Sequence, residues 1–208
     1  MELFVRPGCA LSHTVRLALR LKGLDYEVHE IGDLPHLVSP RLPFHEVLAE
    51  TRTTPVLHDL HRCYIQSHAI TEYLDEQYPD PVLLVGTARD RVQARSLIEV
   101  ITTGILPLID DGIDAVPTPW PADRAMNWRR HWLERGCRVI ESMLGDNPAR
   151  GRFSHGDSPT LGDCYLAPLV WAAERHGLDL APFPTIRAVQ DACMALPEFA
   201  EVALEVDA

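Results

Sequence analysis

Thr53-Thr54-Pro55-Val56 is an extended, β-branched segment that runs into a proline, and Gln66-Ser67 stands one short hairpin further on. Between them, Pro55-Val56-Leu57-His58 and Cys63-Tyr64-Ile65 read as paired strands around a turn at 59–62. Ser67 occupies the place of a helix N-cap, and Ile70, Tyr73 and Leu74 then recur at the spacing of one buried helix face. Pro79-Asp80-Pro81 stops that helix. Towards the N-terminus, Glu2-Leu3-Phe4-Val5 reads as a short buried strand, broken by Arg6-Pro7-Gly8. From Leu11 onward Val15, Ala18, Leu19 and Leu21 repeat with helical period until Lys22-Gly23 caps the helix. Alternation over 26–31 predicts a half-buried strand, and a proline-rich segment with a short helix at 44–49 closes the gap. Residues 1 to about 80 therefore read as βαβ followed by ββα.

Beyond this unit the pattern changes. Residues 81–87 have the composition of a linker, and from Ala88 the chain is helical throughout. Thr87 and Asp90 can start a long helix through Val92, Leu97, Val100 and Ile101. After a proline-rich break at 117–121, a second helix at 122–144 is expected to turn Trp128, Trp132, Val139 and Ile140 inward. Thr160-Leu161-Gly162-Asp163 is a capping-box pattern in which Asp163 reaches back to the N–H of Thr160, opening an apolar helix at 164–176. Pro184 starts a last helix at 185–195. The expected organisation is an α/β domain at 1–80 and an all-helical domain at 88–208.

The bulk numbers restrict partners. With 208 residues, 46% of them apolar, the chain can bury a real core in one large domain or two small ones. A net charge of -11 without a Lys/Arg run argues against nucleic acid and anionic membranes, since the long-range field repels phosphate. The longest apolar stretch, around 165–173, is interrupted by Pro168 and is too short to cross a bilayer. Five dispersed cysteines without a CxxC pair suggest neither a disulfide framework nor a zinc site. No basic and apolar leader opens the chain, so a cytoplasmic protein is expected.

Four motifs in order carry a resemblance: Thr54-Pro55-Val56, the run from Gln66-Ser67-His68 to Glu72-Tyr73-Leu74, Tyr78-Pro79-Asp80-Pro81, and Ser158-Pro159-Thr160-Leu161-Gly162-Asp163. Over essentially the whole chain they resemble the glutathione transferase superfamily. Ser12-His13 with Arg16, Leu21-Lys22-Gly23, Arg150-Gly151-Arg152 and Asp163-Cys164-Tyr165-Leu166 with Arg175 point to its zeta class, which includes maleylpyruvate and maleylacetoacetate isomerases. The resemblance implies a thioredoxin-like N-terminal domain, a C-terminal helical bundle, glutathione as cofactor and a homodimer.

It also implies roles. Pro55 would be a cis-proline, with Thr54 presenting its backbone to the cysteine unit of glutathione as a strand would. Gln66 and Ser67 would hold the γ-glutamyl carboxylate at a helix start, and Arg52 would meet the glycine carboxylate. Cys9 stands where the zeta pattern has a serine, just before the first helix, where a thiolate is favoured and where Arg6 and His13 would help it. It would either donate a hydrogen bond to the glutathione thiolate or act as a nucleophile in thiol exchange; a small semi-buried residue without chemistry is the plain alternative. Ser12 is the second thiolate partner, and His13 a neighbouring helix residue assigned to the substrate. Where the class grips a dicarboxylate through His-Pro-Ile-Asn-Asn-Arg, this chain has Leu106-Pro107-Leu108-Ile109-Asp110-Asp111, while Arg175 matches a carboxylate-binding arginine. Leu106, Asp110, Arg175 and Trp171 thus mark a substrate pocket, and the acidic pair would repel a second carboxylate; the plain alternative is that Asp110 and Asp111 cap or solvate the turn before Gly112.

The expected activity is attack of the glutathione thiolate on a small, mostly apolar organic electrophile. A glutathione transferase that conjugates its substrate is the favoured reading, and maleylpyruvate-type cis–trans isomerisation, if the adduct collapses back, is the runner-up. Thiol transfer or deglutathionylation at Cys9, and a non-catalytic binding module, are the competing readings.

Overall fold

Among the described residues, four strands form one mixed sheet in the order β2-β1-β3-β4. The structure, a computed structural model, describes residues 1–30, 54–109 and 120–204. The helix expected at 44–49 and the roles given to Arg52, Asp110 and Asp111 lie outside the described residues. Strand β1 (Glu2–Val5) runs parallel to β2 (Glu27–Glu30) and antiparallel to β3 (Val56–Asp59), which pairs with β4 (Arg62–Ile65). A parallel pair needs a crossover, and α1 (Ala10–Leu21) supplies it. The central strand β1 buries Leu3, Phe4 and Val5. Edge strand β2 departs from the expected half-buried alternation. Val28 is 40% exposed, and it is His29 that packs inward, its ring 5.3 Å from that of Phe4.

The β3–β4 turn is made by Leu60 and His61, both left-handed at φ 46° and 67°. Such a pair matches the twist of a two-residue hairpin. Helix α2 (Ser67–Gln77) corrects the expected cap. Gln66, at φ 69°, is the N-cap, and its side chain makes no capping bond. The chain turns at Gln66 as it leaves β4, so Ser67 is already helical and buried, and its hydroxyl meets that of Tyr165.

Residues 81–87 are not a loose linker. Lys22, fully buried at the C-cap of α1, pairs with Asp75 at 2.7 Å and donates to the carbonyls of Tyr78 and Pro81 at 2.8 Å each. Asp75 in turn accepts from the backbone N–H groups of Leu83 (2.8 Å) and Leu84 (3.0 Å). A buried charge is tolerated when it is paired and hydrogen-bonded, and this cluster pins α1, α2 and the crossing segment together.

The helical half comprises α3 (Ala88–Gly104), the short α4 (Leu106–Ile109), α5 (Ala122–Gly145), α6 (Leu161–Arg175), α7 (Pro184–Met194) and α8 (Pro197–Leu204). Both capping boxes form: Thr87 with Asp90 opens α3, and Thr160 with Asp163 opens α6. Helix α6 is buried from Leu161 to Ala173 and packs on α1, α3 and α7. That is why its sequence is apolar on all faces rather than amphipathic.

Three expectations need correction. Val139 points outward and Trp128 and Trp132 are half-buried, because the inner stripe of α5 runs through Ala125, Arg129, Leu133, Cys137 and Ile140. A further helix, α8, follows the one taken as last, burying Phe199 and Val202. Finally, Ala88–Ile109 has the length and composition of a membrane-crossing helix. Its apolar residues Leu97, Ile98, Ile101 and Ile105 are instead buried in the core of this molecule.

Candidate active site

Cys9 is the N-cap of α1, in extended conformation at φ -76° and ψ 112°, and its side chain caps nothing. The turn Arg6-Pro7-Gly8 places it there: the Cys9 N–H donates to the Arg6 carbonyl at 3.1 Å, and Gly8 takes φ 72°. Thr54 Oγ1 donates to Cys9 Sγ at 3.5 Å. The Thr54–Pro55 peptide is cis, the geometry implied by the resemblance. Val56 pairs with Ile65, so the antiparallel register carries Pro55 opposite Gln66. Cys9, Thr54, Pro55, Gln66 and Ser67 thereby meet at one end of the sheet.

Two helix starts end there without side-chain caps, α1 at Cys9 and α2 at Gln66. First-turn N–H groups that no side chain satisfies favour an anion. A peptide thiol carrying carboxylates fits this donor set.

Cys9 also lines a cavity of about 310 Å³ towards the helical half, with Arg6, Arg175, Leu106, Pro107 and Ile109 on its walls. Arg175 Nη2 donates to the Gly8 carbonyl at 3.3 Å. A side chain at Gly8 would come within 2.8 Å of Arg175 Nη1, so glycine there serves both the turn and the approach of the guanidinium. Arg6 on this wall was absent from the residues assigned to substrate; an arginine closing β1 directly before Pro-Gly was the available signal.

Not every assigned residue joins the cavity. Ser12 is 1% exposed, lies off the cavity wall, and its Oγ has no partner among the described residues. His13 is buried at the α1–α6 interface, its ring 6.1 Å from that of Trp171, and also lies off the wall. Trp171 faces a different cavity. Burial pushes Cys63 up to about 11 and Cys137 up to about 12, and raises Cys164 and Cys193 as well. Cys9 is the described cysteine on this wall.

Burial, with Arg16 and Arg175 adding repulsion, lowers the His13 pKa from 6.5 to about 4. Between those values the unfolded chain binds a proton that the folded chain does not. The stability tied to neutral His13 is therefore complete above pH 6.5 and is lost as pH falls towards about 4, by about 3 kcal/mol in all. Urea unfolding across this range should show the slope in the parent protein and a flattened one in His13→Gln.

Comparison with known proteins agrees with this geometry. The family described as "Glutathione S-transferase, N-terminal domain" matches residues 3–82. A maleylpyruvate isomerase from Ralstonia sp. is 39% identical over 98% of this chain and 96% of its own length. A holo structure of maleylpyruvate isomerase, described as a bacterial glutathione S-transferase of the zeta class, superposes with a TM-score of 0.87. It is 35% identical and covers 99% of this chain and 98% of that one. The maleylacetoacetate isomerase of Anaeromyxobacter dehalogenans, solved with dicarboxyethyl glutathione and citrate in its active site, gives a TM-score of 0.77. It is 34% identical over 97% of this chain and 89% of its own. Sequence, sheet topology and whole-length likeness converge, and the chain belongs to the zeta class of the glutathione S-transferase family.

Proposed function

We propose that this protein is a glutathione-dependent cis–trans isomerase of a small unsaturated dicarboxylate of the maleylpyruvate or maleylacetoacetate type. The observation that carries the reading is the placement of two guanidinium groups, Arg6 and Arg175, on the cavity wall shared with Cys9. Two cations in one cavity suit a dianion better than the mostly apolar substrate expected from Leu106. The isomerase activity of the relatives and the dicarboxyethyl glutathione held by the neighbouring structure support the same choice.

Thr54, Gln66 and Ser67 would hold glutathione along the sheet end and the start of α2, and Arg52 its glycine carboxylate. Bound there, glutathione supplies a thiolate able to add reversibly to an electrophilic carbon, the step common to isomerisation and conjugation. Cys9 holds the sulfur as a hydrogen-bond donor at the start of α1. Arg6 and Arg175 grip the substrate carboxylates and fix its orientation. Leu106, Pro107 and Ile109 exclude water from the reacting carbon. The division at 1–80 and 88–208, a cytoplasmic location and a homodimer belong to the same proposal and rest on the family membership.

Arg175→Ala tests the dicarboxylate grip. Loss of one charge-assisted hydrogen bond is worth about 1.5–3 kcal/mol, so KM for a maleyl substrate should rise about 10–100-fold, while KM for glutathione stays near its parent value. An unchanged substrate KM would remove Arg175 from the site.

A further inference from the structure

Helix α6 borders two cavities. Ala172, Arg175 and His176 face the Cys9 cavity, whereas Trp171, Glu174 and Arg175 share the next helical face. That second face lines a cavity of about 480 Å³ closed by Gln190, Asp191 and Met194 of α7 and Ala203 of α8. Its size is that of a small-molecule site.

The polar groups of this cavity are sorted by depth. Trp171 and Gln190 are each 8% exposed, and Trp171 Nε1 and Gln190 Oε1 find no hydrogen-bond partner among the described residues. One is a donor and the other an acceptor, and leaving both unpaired in a buried position is costly. Charges of both signs stand exposed beside them: Arg175, Glu174 and Asp191. Met194 and Ala203 add an apolar flank. A bridging water would satisfy the two orphaned atoms but would use neither sign of charge.

We propose that this cavity binds a free α-amino acid with an apolar side chain. Its carboxylate meets Arg175 and the Trp171 N–H, its ammonium meets Gln190 Oε1 and the flanking carboxylates, and its side chain lies along Met194 and Ala203. The isomerase reading is not needed for this site, which lies beside the glutathione cavity and shares Arg175 with it.

Calorimetry on the full chain with L-leucine, L-methionine and L-phenylalanine, repeated with isocaproate and isopentylamine, tests it. The last two lack the ammonium and the carboxylate respectively, so they probe the same contacts on the unaltered protein. The expected result is saturable binding of an amino acid, at least tenfold weaker for both analogues and in Gln190→Leu, and unaffected by saturating glutathione. The indole N–H resonance of Trp171, assigned by its loss in Trp171→Phe, should move on binding. No saturable binding at millimolar amino acid, equal binding of either analogue, or displacement by glutathione would overturn the proposal.

Discussion

Cys9→Ala should lower kcat/KM for glutathione-dependent turnover about 10²–10³-fold, the usual cost of removing one donor aimed at developing negative charge, and Cys9→Ser should restore most of it. The expectation follows from position. Cys9 is the N-cap of α1, spends its side chain on no cap, and lies on the wall of the cavity that carries both arginines. A hydroxyl at that point donates as a thiol does. A nucleophilic Cys9 would behave differently, because serine cannot form the mixed disulfide and both variants would be equally inactive. The ratio of the two variants thus decides between hydrogen-bond donor and thiol transferase, using substrate turnover as the readout.

The second large effect is on stability. Asp163→Ala should cost about 3 kcal/mol or more, measured as a lower urea midpoint with an unchanged slope. Asp163 is fully buried and accepts from the backbone N–H groups of Ser154 and Thr160, each at 2.8 Å, and from the Thr160 hydroxyl at 2.7 Å. Alanine strands two buried N–H groups at the start of α6, the helix on which α1, α3 and α7 pack. Asp163→Asn, which keeps one acceptor oxygen, should lose less. Burial raises the Asp163 pKa despite these bonds. The folded state thus binds its proton more readily than the unfolded chain, and the carboxylate's own contribution falls as pH rises through that raised value.

Much of the architecture was legible because local signals and packing agree. The Thr160/Asp163 box, the Lys22-Gly23 stop and the hairpin before Gln66 each have a side-chain or backbone reason visible in sequence, and each is found where expected. The misses share a cause, namely neighbours that periodicity does not reveal. Val28 alternates correctly yet lies exposed, since β2 is an edge strand. Ser67 looks like a cap, but the left-handed turn at Gln66 draws it inside the helix. Within the site, Cys9 and the Thr54-Pro55 turn were readable from the family motifs. Arg6 was legible only as a cation near the Cys9 thiol, because its place on the substrate wall appears only when α6 brings Arg175 onto the same wall. His13 and Trp171 lie elsewhere than on that wall, His13 against α6 and Trp171 on a second cavity, placements that helix packing sets and local sequence does not reveal.

The glutathione balance during turnover of maleylpyruvate tests the central claim most directly. The account predicts that conversion of the cis to the trans isomer requires glutathione, saturates with it, and leaves the free thiol concentration unchanged after many turnovers. Stoichiometric disappearance of the thiol, or conversion at the same rate without glutathione, would contradict it.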